Sequence, residues 1–206
     1  MLFKQLSAKW AERICRAAGE TDSYKIALTR YVFESILSFW LSVTILLIVA
    51  WLVGMVKTIF LIGFTGAFIK SFSGGLHMST PLRCAVGGAI ALVAVSYIAT
   101  FLPITSIPWV IILLIMVVMN LIVWLNAPRE AKGKPLTTKQ KSILGVLAKI
   151  IILLISIICL LWTKNWGVNE LFYGTVFQVI NLLDLAAQGI EKVDCVFGKI
   201  ERKPVF

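Results

Sequence analysis

Thr58 to Ile69, TIFLIGFTGAFI, is a run of twelve uncharged residues flanked by Lys57 and Lys70. A helix needs about 20 apolar residues to cross a bilayer, so the run alone is short enough to be re-entrant. Adding Gly54 to Val56 and a snorkelling Lys57 lengthens it to a thin span. Which of the two it is decides the topology of the whole chain.

The surroundings leave little doubt about the class of protein. The chain has 206 residues, 59% of them hydrophobic, and its mean hydropathy is +0.93. Repeated apolar runs near span length exclude an ordinary water-soluble fold. Segments such as SILSFWLSVTILLIVAWLVGMV (35–56) and KIIILLISIICLLW (149–162) are apolar all round. Lipid-immersed helices have that character, whereas barrel strands alternate. The expected fold is therefore all-α, a polytopic helical membrane protein forming a single domain over 1–206.

Apolar runs lie near 35–56, 58–69, 84–102, 108–125, 143–162 and 171–188, the last carrying Asp184. Positive charge settles the doubtful one, because basic loops are retained on the cytoplasmic side. If 58–69 did not cross, the loop NAPREAKGKPLTTKQKS (126–142), with Arg129, Lys132, Lys134, Lys139 and Lys141, would face outward. Counting it as a span places that loop inside, together with the N-terminal region (1–33) and the tail (189–206). The connections PITSIP and TKNWGVNE then face out. About six spans are expected, with both termini and the 70–84 stretch at the cytoplasmic face of the cell membrane. Asp184 is expected to face the protein interior and meet Asn120 there. NLLDLAAQG (181–189) reads equally well as an interfacial helix.

Leu2, Phe3, Leu6, Trp10, Ile14 and Ala17 recur at helical spacing opposite Lys4, Lys9, Glu12, Arg13, Arg16 and Glu20. This predicts an amphipathic helix on the membrane surface. A plainer reading docks it on its own protein. The segment lacks the apolar centre and cleavage site of a signal peptide and is expected to be retained. Cys15, Cys84, Cys159 and Cys195 are too scattered for a zinc site or a disulfide scaffold, and free thiols are expected. No metal or organic cofactor is implied by residue spacing. The formal charge of +10 is read as topology and membrane-lipid affinity, with no nucleic-acid partner.

Between two apolar runs lies SGGLHMSTPLRC (73–84), holding the single histidine of the chain, His77, seven residues before Cys84. Seven residues along an unbroken helix are about 10 Å, too far for an imidazole to reach a thiol. The helix must break. Gly74 and Gly75 permit the break, and Pro81 suits the first position of a new helix with Thr80 as its N-cap. Cys84 then falls in the first turn. The dipole there favours thiolate, and unpaired amides can hold an oxyanion. With His77 folded back, the imidazole takes the thiol proton and returns it to a leaving amine. Arg83 and Lys70 add positive charge. In the plainer reading, Cys84 packs as a small apolar residue and His77 is solvated at the headgroup level.

KSFSGGLHMSTPLRC (70–84) after a short hydrophobic span resembles the accessory gene regulator B (AgrB) family. These membrane peptidases process quorum-sensing peptide precursors in Gram-positive bacteria. The likeness extends over essentially the whole chain, including the amphipathic N-terminus and the basic central loop. It implies a cysteine endopeptidase with Cys84 as nucleophile and His77 as general base, acting on an AgrD-like propeptide. Such an enzyme removes the propeptide's C-terminal tail and passes the thioester to a residue of the substrate, releasing a thiolactone or lactone. Exchange of one thioester for another is nearly isoenergetic, so the site must exclude water.

The resemblance also places Glu34, Lys70 and Gly75 at functional positions and implies a homodimer. Lys70 stands where arginine is commoner; its charge survives but bidentate pairing does not. Gly75 is also a plain turn glycine. Glu34 can pair with Lys70 or Arg83, orient His77, or simply be solvated at a helix end. Arg129, Lys132 and Lys134 suit an acidic peptide tail, and equally suit a purely topological role. Two other classes compete with the enzyme: a small transporter with its solute site at the SGGLH break, and a non-catalytic membrane scaffold that binds peptide or anionic lipid.

Overall fold

The computed structural model describes residues 2–76, 78–130 and 137–201. The side chains of residues 2–4 and 198–201 lie outside that description. The expectations for Leu2, Phe3, Lys4, His77, Lys132, Lys134 and the tail residues Lys199, Arg202 and Lys203 therefore fall outside the described residues. Among those described there are eight α-helices and one 3₁₀ turn. They are α1 (Leu2–Ala17), α2 (Ser23–Val53), α3 (Val56–Ser73), α4 (Pro81–Phe101), the turn Ile104–Ser106, α5 (Trp109–Asn126), α6 (Thr138–Leu161), α7 (Val168–Ile180) and α8 (Asp184–Glu201). Five of them, α2 to α6, are long and apolar enough to cross a membrane. The protein is a multi-pass helical membrane protein.

Lys57 joins the segment that the sequence left in doubt, giving α3 its 18 residues. Instead of lying at the margin, α3 forms the centre of the molecule with α7. Ile59, Ile62, Thr65, Gly66 and Ile69 of α3 are buried, as are Phe172, Tyr173, Gly174, Thr175 and Val179 of α7. The two helices cross where side chains are smallest. A Cβ on Gly174 would lie 2.8 Å from the Ile62 carbonyl oxygen and 2.7 Å from the Thr65 Cβ. Small residues at a crossing let backbones approach closely, the usual way membrane helices gain contact.

α7 departs from the expected sixth span. It has 13 residues, about 20 Å against a hydrocarbon core of about 30 Å. Asn181 to Leu183 end the apolar run, and Asp184 begins a separate helix. Yet α7 still connects the two ends of the bundle. At its start, Asn169 Oδ1 accepts from the Ile104 amide at 2.9 Å and its Nδ2 donates to the Ala99 carbonyl at 3.1 Å. At its other end, Gln178 donates to Ser73 and Gly74. Tyr173 hydroxyl donates to the Leu102 carbonyl. The up-and-down alternation of six helices thus holds, with the last one sheltered by protein.

Asp184 is exposed and pairs with Arg129 at 2.9 Å, in place of the expected interior contact with Asn120. Asn120 Nδ2 donates instead to Ser156 Oγ and the Met116 carbonyl, both at 2.8 Å. The segment expected as a tail from 189 belongs to α8.

The amphipathic α1 docks on α2 with Ser7, Ala11 and Cys15 buried, and Trp10 meets Phe33 edge-on with ring centroids 6.0 Å apart. Its predicted apolar stripe, Leu6, Trp10 and Ile14, stays exposed. The helix therefore uses a small-residue face for the protein and keeps an apolar face free.

Gly174→Ala is expected to destabilise the fold by about 1–3 kcal/mol through overpacking against α3. Gly189→Ala, with open space around it, is expected to be neutral or to gain about 0.5–1 kcal/mol. Thermal unfolding in detergent micelles checks the pair, and equal midpoints would argue against the close crossing.

Candidate functional site

The site is built where α3 stops. Gly74 takes a positive φ of +69° with ψ −160°, and its amide donates to the Lys70 carbonyl at 2.9 Å. Gly75 follows at φ +151°. Both angles suit glycine and resist other residues. The reversal also makes room for a second strand of chain. Arg129 N–H donates to the Ser73 carbonyl at 2.9 Å, and a Cβ on Gly74 would land 2.0 Å from the Arg129 carbonyl oxygen. Gly74 and Arg129 form an isolated parallel bridge.

Gln178, buried at the end of α7, completes the junction. Its Nε2 donates to Ser73 Oγ at 3.0 Å and to the Gly74 carbonyl at 2.8 Å. Lys70 Nζ donates to the Leu76 carbonyl at 2.8 Å. A Cβ on Gly75 would be 3.3 Å from Gln178 Nε2 and 3.4 Å from Lys70 Cε. Gly75 therefore lies in contact with both side chains.

The second helix starts where the sequence placed it. Thr80 is the N-cap, with extended backbone and a side chain that accepts from the Arg83 amide at 3.3 Å, and Pro81 opens the helix. Cys84 N–H donates to the Thr80 carbonyl at 3.0 Å. Two first-turn amides are thus engaged. Leu82 keeps an amide for which a helix supplies no acceptor at that position. The half-buried Cys84 lies within electrostatic range of the Lys70 ammonium. Met78 packs on Gly87, one turn further along α4. Of the two described neighbours of position 77, Leu76 is tied to Lys70 of α3 and Met78 packs on α4.

Arg83 is turned away toward α8. Its guanidinium donates to Ser79 Oγ and to Asp194 Oδ1, each at 3.0 Å. Of the partners considered for Glu34, Lys70 is bonded to Leu76 and Arg83 to Asp194; among the described residues Glu34 forms no ion pair. Arg129 spends its guanidinium on the Leu182 carbonyl at 2.7 Å and on Asp184 at 2.9 Å. Arg129 is thus a strut between the diglycine and the α7–α8 joint. Lys141 pairs with Glu130 at 3.3 Å.

Sequence reasoning missed two residues of this constellation. Gln178 carried a signal, since an amide inside an apolar run needs partners. Asp194 carried one too, as an acid on the face of α8 that buries Ile190 and Phe197 in part. Burial works against the Asp194 carboxylate, but hydrogen bonds from Arg83 and Ser79 outweigh it and hold its pKa below the usual value. A folded-state pKa below the unfolded one gives stability that is present above the unfolded pKa and is lost as pH falls through the folded one.

Thermal midpoints of wild type and Asp194→Asn should therefore differ at neutral pH and converge as the pH falls below about 4. A gap that persists in acid would contradict the ion pair. Gln178→Leu removes the donor from the buried Ser73 hydroxyl and the part-buried Gly74 carbonyl and should cost about 1–3 kcal/mol, read from the same unfolding curves.

Comparison with known proteins bears on these same residues. No curated protein and no solved structure matches the chain. The model of one family, accessory gene regulator B, matches residues 7–182, a stretch that contains the diglycine, Cys84, Arg129 and Gln178. The chain belongs to the accessory gene regulator B family.

Proposed function

We propose that the protein is a membrane cysteine endopeptidase that processes an AgrD-like propeptide in quorum sensing. Membership of the family is consistent with such a role. The observation that carries the finer reading is the placement of Cys84. It sits in the first turn of a capped helix, within electrostatic range of Lys70 and after a diglycine reversal.

On this reading His77 takes the proton of the Cys84 thiol, and the thiolate attacks the carbonyl of the scissile bond. The Leu82 amide faces the developing oxyanion as its donor. His77 then protonates the leaving amine, and the C-terminal tail departs. Cys84 keeps the rest of the precursor as a thioester. A thiol or hydroxyl within the substrate loses its proton to His77 and attacks that thioester. The macrocycle is released and Cys84 recovers its proton. Lys70 supports the thiolate electrostatically while fixing Leu76, and Gly75 lets the chain pass between Lys70 and Gln178.

The site end of the bundle collects the basic segments, including Lys25, Arg30, Arg129, Lys139 and Lys141, which supports a cytoplasmic location for it. At the opposite end Lys57 lies over the Trp166 ring, 4.8 Å from its centroid. The partners on this reading are the propeptide, membrane lipid and a second copy of the chain.

The test uses full-length protein in proteoliposomes with an AgrD-like precursor. Cys84→Ala and His77→Ala should each reduce cleavage by roughly 10³-fold or more. Cys159→Ala, a change at a buried packing thiol of α6, should leave cleavage near wild type. A precursor adduct released by hydroxylamine would report the thioester. Unchanged processing by Cys84→Ala would overturn the assignment.

A further inference from the structure

The helix α8 begins at Asp184, beyond the residues matched by the family model. Two of its carboxylates, Asp184 and Asp194, reach the candidate catalytic segment, and they do so at opposite ends of it. Asp184 binds Arg129, whose backbone is paired with Gly74 where the segment begins. Asp194 binds Ser79 and Arg83 where the segment enters α4. Ten residues of helix are about 15 Å. The helix thus straddles the chain from the diglycine to the Cys84 turn.

The Asp194 contact is the more specific of the two. Oδ2 accepts from the Ser79 amide at 3.0 Å, and Oδ1 accepts from Ser79 Oγ at 3.0 Å and from Arg83 Nη1 at 3.0 Å. The Asp194 carbonyl takes a further bond from the same Nη1 at 3.3 Å. The Arg83 and Asp194 side chains are only 13% and 18% exposed, whereas Asp184 is 85% exposed. Ser79 stands just before the N-cap and Arg83 just before Cys84. One carboxylate therefore clamps both sides of the helix start, in addition to the Thr80 cap.

The rest of α8 fits a strap. Ala186, Ala187, Ile190 and Phe197 are half-buried on the face that holds Asp194. Leu185, Val193 and Val196 are exposed on another face. An apolar residue at 194 would satisfy packing alone. A carboxylate in that stripe instead specifies register, a role attested for buried polar groups elsewhere.

We propose that Asp194 is a positioning residue: through Ser79 and Arg83 it holds the first turn of α4, and hence Cys84, in its reactive register, with α8 as a strap across the candidate site. This rests on the reading of Cys84 as nucleophile. The carboxylate touches no reacting atom and acts only through the two residues it binds.

The experiment uses the full-length chain in lipid nanodiscs and compares wild type with Asp194→Ala, Asp194→Asn and Asp194→Glu. Amide exchange over residues 79–85 should speed by about tenfold or more in Asp194→Ala, with α5 and α6 unchanged. Site-resolved alkylation by iodoacetamide across pH should show Cys84 reacting about tenfold more slowly near neutral pH, with its profile displaced upward. Free cysteine in the same mixture serves as the standard, and Cys195, exposed on α8 next to the substituted carboxylate, reports on α8 itself. Asp194→Glu should recover most of the loss, and Asp194→Asn should fall between. If Asp194→Ala fails to fold, the Asn and Glu variants carry the same comparison.

With an AgrD-like precursor, Asp194→Ala should lower kcat about tenfold and leave KM within about twofold. Unchanged exchange at 79–85 together with an unchanged Cys84 profile would overturn the proposal. So would equal changes at Cys195 accompanied by collapse of the thermal midpoint. Cleavage that survives Cys84→Ala would instead sink the peptidase reading while leaving the exchange result standing. Active wild type with an unaffected Asp194→Ala would sink the strap alone.

Discussion

The close crossing of α3 and α7 at Gly66 and Gly174 is the contact on which the remaining geometry depends. Because the Gly174 carbonyl and the Phe177 ring lie 3.4–3.6 Å from where a Gly66 Cβ would be, the two backbones run within reach of each other's polar groups. That proximity delivers Gln178 to the last residue of α3. From there the order is sequential: Gln178 holds Gly74, Gly74 admits Arg129, and Arg129 ties down the start of α8. A bulkier residue at the crossing would move α7 outward and take the Gln178 amide away from the diglycine.

Charge is handled frugally around the candidate site. Lys70 is committed to a backbone carbonyl, Arg83 to Asp194, and Arg129 to Leu182 and Asp184. These three basic residues are parts of a scaffold. Lys70 lies within electrostatic range of the Cys84 thiol. Two carboxylates of α8 balance two of the three. Paired charges at this depth are what a membrane-surface site requires, since an unpaired buried charge is costly there.

Polar side chains of α7 bonding to backbone groups hold both ends of the bundle, with the ion pairs Arg83–Asp194 and Arg129–Asp184 added at the site end. The site end depends on side chains bonding to loop carbonyls and carboxylates. The opposite end is closed by Asn169 and Tyr173 of α7 binding Ile104, Ala99 and Leu102. A helix of 13 residues can serve both because polar side chains near its two ends, Asn169 and Gln178, bond to neighbouring elements. This explains why α7 need not match the thickness of a bilayer.

Much of the fold was legible in the sequence because the signals are local. Apolar run length announces a membrane helix, a diglycine a chain reversal, and Thr-Pro a helix start; each depends on a residue and its near neighbours. The amphipathic α1, the break at Gly74 and the start of α4 at Pro81 follow from such features. What the tertiary structure decided lies in pairs far apart along the chain. Ser79 and Asp194 are 115 residues apart, Gly74 and Gln178 are 104 apart, and Arg129 and Asp184 are 55 apart. Composition gives a carboxylate or an amide in an apolar run a need for a partner without saying which one. Only helix packing brings one candidate within hydrogen-bond range, and so Asp184 left the interior, Arg129 became a strut, and the expected tail became a helix across the site.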